Sequence, residues 1–387
     1  MTSQLPRLIA FYLPQFHPIP ENDEWWGKGF TEWTNVVKAR PLFKGHYQPH
    51  LPADLGFYDL RVPEVREAQA QLARQAGIEG FCYYHYWFGN GRRLLERPLN
   101  EVVASGRPDY PFCLCWANES WSGIWHGAAD RILMEQTYPG LEDHERHFQA
   151  LLPAFKDRRY MRVHGCPIFV VYRPLAIPDV ATFTGRWQQL ARENGLDGMH
   201  FIAHLIYDEL NYDYRRDGFE RAVVIDYTRF QEFLCWKKAW AWARGVAGAA
   251  CKGRPPSRRL MDLARLWMRH LCRSPLRWKG TAVSNYADTL LYALDAEMLG
   301  PDRYACVVPN WDNSPRSGNS ARVFRDSTPE LFQGHLRRAL QLVADREPEE
   351  RLLFIKSWNE WGEGNYLEPD ARYGHGYLEA CRREILG

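Results

Sequence analysis

The sequence predicts an α/β fold, a (β/α)8 TIM barrel, from three observations. Eight short runs of apolar, β-branched and aromatic residues recur along the 387 residues. Most are followed by a segment with helical spacing, and each run ends in a cluster of polar and aromatic side chains. A barrel gathers the carboxyl ends of its strands around one mouth, whereas an open doubly wound sheet, the competing architecture, spreads them along an edge.

The elements follow in order. Leu8–Phe16 is the first predicted strand and runs into Gln15-Phe16-His17. Val65, Ala68, Leu72 and Ala76 then share a helical face, and Gly77 stops that helix. Gly80–Trp87 is the second strand and ends in Tyr83-Tyr84-His85-Tyr86-Trp87; Phe112–Ala117 leads into Asn118-Glu119. Ile168–Tyr172 precedes Arg173, Met199–Leu205 carries His204, and Ala222–Thr228 carries Asp226-Tyr227. Ala305–Asn310 opens onto Trp311-Asp312-Asn313, and the helical face Leu331, His335, Leu336, Ala339, Val343 follows, capped by Thr328 with Pro329 in the first turn. Leu352–Trp358 is the eighth strand and ends at Asn359-Glu360.

Composition narrows the class. The charge is nearly balanced, 49 Lys+Arg against 47 Asp+Glu, and 45% hydrophobic with 25% charged residues excludes general disorder. The 16 Trp, 20 Tyr and 19 Phe suit either a large core or a ligand-stacking site. No stretch reaches the roughly 18–20 apolar residues of a spanning helix. The amino-terminal residues lack a basic region followed by an apolar stretch and a cleavage site, and read as a first strand instead of a secretion signal. Nine scattered cysteines without Cys-x-x-Cys spacing point to free buried thiols in a reducing compartment, so the expected location is cytoplasmic.

One segment breaks the alternation. Trp236–Lys279 holds twelve Lys/Arg and one acid, Asp262, for a net +11; the remaining 37 basic and 46 acidic residues leave −9 elsewhere. Within it Leu260, Leu263, Ala264, Trp267 and Leu271 face one side of a helix, and Arg258, Arg265, Arg269 and Arg273 the other. Three readings stand: an excursion docked on the barrel with solvated arginines, a surface for anionic membrane or a lipid-linked glycan at the inner face of the membrane, and a nucleic-acid site. Nothing else in the chain resembles a nucleic-acid module, so no nucleic-acid partner is expected. Residues 1–387 are expected to form one catalytic barrel, with 236–279 inserted into it.

The most specific local signal is Ser357-Trp358-Asn359-Glu360-Trp361-Gly362-Glu363-Gly364, continuing to Asp370. If the backbone turns helically there, Glu360 and Glu363 share a face with Cβ atoms about 5–6 Å apart. Carboxylates so close repel, and burial against tryptophan raises one pKa further, giving a protonated acid beside a base near neutral pH. Cleavage of a glycosidic bond requires that division of labour. A solvated acidic loop is the plain alternative. Glu119, at another strand end, is a candidate for substrate binding, for a cross-barrel catalytic pair with Glu360, or for a structural role.

At this point the sequence resembles the WbsX-like family of polysaccharide-cluster proteins, which is related to glycoside hydrolase family 99, the endo-acting α-mannosidases. The matching segments are Ala10 to His17, Gly29 to Trp33, Tyr83 to Trp87, Trp116 to Glu119, Trp311 to Arg316 and Trp358 to Asp370. The resemblance implies a (β/α)8 barrel without a metal or other cofactor. It implies that Glu360 acts as base on a 2-hydroxyl, displacing the leaving group through a 1,2-anhydro sugar. Glu363 then protonates the departing oxygen and later activates water. That route retains configuration and suits α-mannosides and α-rhamnosides. Proteins of this kind are also labelled glycosyltransferases, yet the sequence has no Asp-x-Asp metal motif and no phosphate-binding glycine loop.

The substrate-binding candidates, each with a structural alternative, complete the reading. They are Glu119, Asn118, Trp116, Tyr83, His85, Trp311, Asp312, Asn313, Trp361, Asn359, His17, His204 and Trp33. Glu32 is divided evenly between ligand contact and structure. The sequence thus predicts a retaining glycoside hydrolase acting on an oligo- or polysaccharide of a bacterial surface. A glycosyltransferase assembling that glycan and a catalytically silent glycan-binding scaffold are the alternatives.

Overall fold

The computed structural model describes residues 5–123, 128–206, 209–224, 280–294 and 299–387. Eight parallel strands form the centre: β1 (Arg7–Tyr12), β2 (Gly80–Trp87), β3 (Phe112–Trp116), β4 (Cys166–Val171), β5 (His200–Leu205), β6 (Arg221–Val224), β7 (Arg303–Val307) and β8 (Leu352–Ile355). Each pairs with the next in sequence, and β1 pairs with both β2 and β8, so the sheet closes on itself. The register runs Ala10 to Ile355 on one side of β1 and Tyr12 to Tyr83 on the other. Closure decides between the two predicted architectures in favour of the barrel.

The strands are apolar along both faces because both are covered, one by the barrel interior and one by helices. The helical layer includes α1 (Pro63–Gln75), α2 (Arg97–Ser105), α3 (Leu141–Phe155), α4 (Val180–Glu193), α5 (Pro329–Val343) and α6 (Gly376–Ile385). The predicted stop and cap are both present. Gly77 has φ +77°, and a Cβ there would sit 2.9 Å from Ile385 of α6; the Thr328 side chain accepts from the Leu331 amide at 3.3 Å. Trp187 of α4 is fully buried among Phe155, Phe169, Phe183 and Phe201, and anchors one sector of this layer.

Five strands stop earlier than their apolar runs, two of them (β3 and β4) by one residue and three by three or four. β1 ends at Tyr12, β7 at Val307 and β8 at Ile355. The reason is visible at β1, where the Asn359 side chain takes both the Leu13 amide, at 2.7 Å, and the Leu13 carbonyl, at 3.0 Å, out of the ladder. The run end is spent on the mouth. Among the described residues no helix is long and apolar enough to cross a membrane. Cys82, Cys113, Cys115, Cys166, Cys306 and Cys381 are free thiols. The basic 236–279 segment and most of the run Ala222–Thr228 lie outside the described residues.

Candidate active site

After β8 the chain makes a small hairpin, Asn359–Glu360 against Asn365–Tyr366, with a tight turn at Trp361–Glu363. Ser357 closes its base. Its hydroxyl accepts from the Glu360 amide at 3.1 Å and donates to the Asn365 carbonyl at 2.7 Å. Both glycines of the motif have steric reasons. A Cβ on Gly362 would collide with Glu32 Oε1 and lie 2.8 Å from Arg316 Nε. One on Gly364, at φ +63°, would lie 2.9 Å from the Asp312 backbone nitrogen. Trp361 is buried beneath the turn, stacked 3.7 Å on Tyr366, with its indole N–H donating to Glu368 at 2.6 Å.

The hairpin delivers Glu360 and Glu363 into a cleft of about 650 Å³ at the barrel mouth. Two cations meet them there. Arg316 Nη1 lies 3.2 Å from Glu360 Oε2 and 2.8 Å from Glu363 Oε1, so those oxygens are no further apart than the sum of the two distances. Lys356 Nζ, at the end of β8, lies 3.6 Å from Glu363 Oε2 and donates to the Tyr84 hydroxyl at 3.2 Å. Arg316 also reaches Glu32, Nε to Oε1 at 2.8 Å.

These surroundings split the pair. Burial, with Glu363 beside it, pushes Glu360 up to about 7 against the pull of Arg316. Burial also pushes Glu363 up, but Lys356 and Arg316 outweigh it and hold its carboxyl below the ordinary range. Burial pulls Lys356 down, and Glu363 and Glu360 outweigh that, so the ammonium stays charged. A charge count agrees: two cations against Glu32, Glu360 and Glu363 are balanced by one bound proton, and an uncompensated buried charge is costly.

Of the predicted residues, Glu360, Glu363, Glu119 and Asn118 line this cleft. Glu119 stands at its rim, ion-paired to Arg173 at 2.6 Å. Asn118 is committed to the framework: its amide donates to Tyr138 at 2.9 Å and to the Arg173 carbonyl at 2.8 Å, and accepts from the Arg173 amide at 2.7 Å.

The other placements are corrections. Tyr83 and His85 point from β2 toward the helices, where His85 meets His147 of α3 at 2.8 Å, while Tyr84 and Tyr86 face the cleft. The strand alternates as expected, with the opposite parity. Trp116 lies in the same outer layer, its indole bonded to the Trp87 carbonyl. Trp33, Trp361 and Asn359 are buried supports, Trp33 bonding the Tyr58 carbonyl and packing on Phe16. Asp312 is held by His46 at 2.7 Å and Gln48 at 2.6 Å, and its amide donates to the Glu363 carbonyl at 2.7 Å. Asn313 accepts from the Arg322 amide, and Trp311 packs with Tyr286 and Phe324 under the Lys356 ammonium. His17 is buried outside the cleft lining; His204 is stacked under Tyr172 and, by burial, Lys356 and Arg173, pushed down to about 3.

Several cleft residues are not among the sequence's binding candidates: Lys356 and Arg316, and also Tyr84, Tyr86, Tyr172 and Arg173, which the strand-end clusters contain without a role. Lys356 carries a usable signal, a lysine directly after the four apolar residues of β8. Trp121, Trp26 and Phe30 also line the cleft, with the Trp26 and Phe30 rings 6.0 Å apart. Beside them the buried Asn22 amide nitrogen has no hydrogen-bond partner among the described residues.

Comparison with known proteins adds the family context. The sequence model of a family described as Glycosyltransferase WbsX matches residues 8–381. An uncharacterised protein, WxcX, of Xanthomonas campestris pv. campestris is 39% identical over 381 residues, in strain ATCC 33913 and in strain B100 alike. The match covers 98% of this chain but 49% of that protein, so the chain spans about half the length of these relatives. Among solved structures, a glycoside hydrolase-like protein superposes with TM-score 0.58 at 15% identity, covering 100% of this chain and 95% of that one. The GH99 endo-α-mannosidase from Bacteroides thetaiotaomicron, in complex with BIS-TRIS-propane, gives 0.54 at 14% identity over 98% and 96%. At these identities the likeness shows the barrel fold.

Proposed function

We propose, from the premise that this chain belongs to the WbsX glycosyltransferase family, that it cleaves α-mannoside- or α-rhamnoside-type linkages of a bacterial surface polysaccharide with retention. The observation that supports this reading best is the pair Glu360 and Glu363. They share one open cleft, one bridging guanidinium and opposite proton affinities. General acid–base catalysis of glycoside cleavage needs such a pair. The cleft cations Lys356, Arg316 and Arg173 each carry an acidic partner, which favours a neutral glycan held by stacking and hydroxyl hydrogen bonds.

Glu360 acts as base on the 2-hydroxyl and Glu363 as acid on the leaving oxygen, then as base on water. Burial biases the shared proton toward Glu360 while Lys356 and Arg316 bias it away from Glu363, the reverse of that starting state. Substrate resolves the conflict: it desolvates Glu363, whose side chain is 20% exposed against 6% for Glu360, and so raises the proton affinity of Glu363. The proton moves across the short space spanned by Arg316.

Purified protein assayed on defined α-mannans and α-rhamnans, with product anomers followed by NMR, tests this directly. Cleavage with retention is expected, and Glu363→Gln is expected to abolish it on unactivated glycans while binding persists. Inversion, or full activity of Glu363→Gln, would sink the assignment. The family description favours a second reading, glycosyl transfer. It requires that a sugar-nucleotide or lipid-linked donor be consumed and that no hydrolysis occur without it. The +11 segment 236–279 keeps two readings from its sequence, an excursion docked on the barrel with solvated arginines and a contact with an anionic membrane surface that presents a lipid-linked glycan.

A further inference from the structure

One buried carboxylate takes no part in that scheme. Glu32 begins the short helix Glu32–Lys38 that follows β1, its amide bonded to the Gln15 carbonyl at 3.1 Å and its side chain 1% exposed. Its Oε1 accepts from Arg316 Nε at 2.8 Å and from Asn35 Nδ2 at 3.2 Å. Arg316 comes from the turn Ser314–Ser317 after β7, and its Nη1 is the nitrogen that lies between Glu360 and Glu363. Glu32 therefore grips one edge of the guanidinium while the candidate catalytic pair receives the other. Gly362 leaves room for that grip, because any Cβ there would collide with Glu32 and Arg316.

We propose that Glu32 is a positioning residue that fixes how many protons the Glu360–Glu363 pair carries, acting through Arg316. The proposal deepens the glycosidase reading and rests on it for its catalytic meaning. Its physical basis is the charge inventory of a site in which Glu32, Glu360, Arg316 and Lys356 are all buried. With Glu32 ionised, Arg316 and Lys356 leave one negative charge unbalanced, and the pair takes up a proton. Were Glu32 neutral, the two cations would match two ionised carboxylates, and the shared proton would be lost near neutral pH. The other groups facing Glu360 are Lys356 at the end of β8, Glu363 on its own hairpin, and the Tyr84 and Tyr86 hydroxyls from β2. Neither tyrosine is ionised at neutral pH, because burial pushes both hydroxyls up. Glu32 is thus the remaining negative charge that sets the count.

Glu32→Gln keeps an oxygen for Arg316 and removes only the charge. Both limbs of the pH profile of kcat/KM are expected to move to lower pH, by on the order of 1–2 pH units for one charge lying across a single guanidinium at an effective dielectric near 20. Glu32→Asp, which keeps the charge, is expected to leave the optimum in place even where activity falls. A Glu32→Gln enzyme that is slower but keeps the wild-type optimum would overturn the proposal and leave Glu32 merely structural. Isotope-edited infrared titration of the carboxylates reads the same shift without turnover. If wild-type protein cleaves no glycan while the titration still shifts, the glycosidase reading fails and this one stands; if the titration does not move, this one fails alone.

Discussion

Glu360 and Glu363 stand three residues apart, yet their surroundings pull their proton affinities in opposite directions. Burial raises Glu360 to about 7, so as pH rises through that value the pair loses the proton its acid needs. Glu363 is held below the ordinary carboxylate range, so the pair takes up a second proton, and is left without a base, only in more acidic solution. Activity is therefore expected to follow a bell with its basic limb near 7 and its acidic limb below the usual range for glutamate, measured as kcat/KM against pH. Lys356 is the first of the two cations that hold Glu363 down. Lys356→Met should raise Glu363, shift the acidic limb upward and cost about 10²–10⁴-fold in rate, within the span of acid–base effects. The carboxylates were legible as residues because an acidic pair beside tryptophans and glycines is rare. Arg316 was not, because it reaches the pair from another strand end, whereas Lys356 was marked by its place directly after the apolar residues of β8.

At the scale of elements, β2 and the hairpin after β8 carry the lesson. A strand buried on both faces presents period-2 alternation without a polar side to mark its exterior, so the sequence gives two sets of residues and no parity. Tyr84 and Tyr86 took the interior, and His85 the helical layer. Tyr84→Phe should lower kcat/KM by about tenfold through loss of the Lys356 hydrogen bond, with little change in melting temperature. His85 and His147, Nε2 to Nε2 at 2.8 Å, are both held neutral by burial. Unfolded histidines take up protons below about pH 6.5 and these do not. Stability should thus fall on acidification, by about 1.4 kcal/mol per pH unit for each, and His147→Gln should reduce that slope in urea titrations. In the hairpin, Gly362→Ala forces a methyl against Glu32 and Arg316. A cost of about 1–3 kcal/mol in stability and a larger loss of activity are expected, read by melting and by initial rates.

For the whole molecule, the eight apolar runs determined the barrel, and the clusters at their ends determined where its mouth would be. The sequence alone also partitioned the charge, a +11 segment against −9 elsewhere. That partition leads to the expectation that the full chain sediments with anionic liposomes at low salt and is released at high salt. Replacing Arg258, Arg265, Arg269 and Arg273 by Gln should abolish this, and unchanged sedimentation would remove the membrane reading. Only the tertiary structure decided which aromatic side chains face the cleft and which groups surround the two carboxylates. Glu32 and Arg316 are 284 residues apart in sequence and 2.8 Å apart in space. Local pattern records what a residue can pair with, but a closed barrel brings the ends of all its strands to one place, and only closure determines which charges meet there.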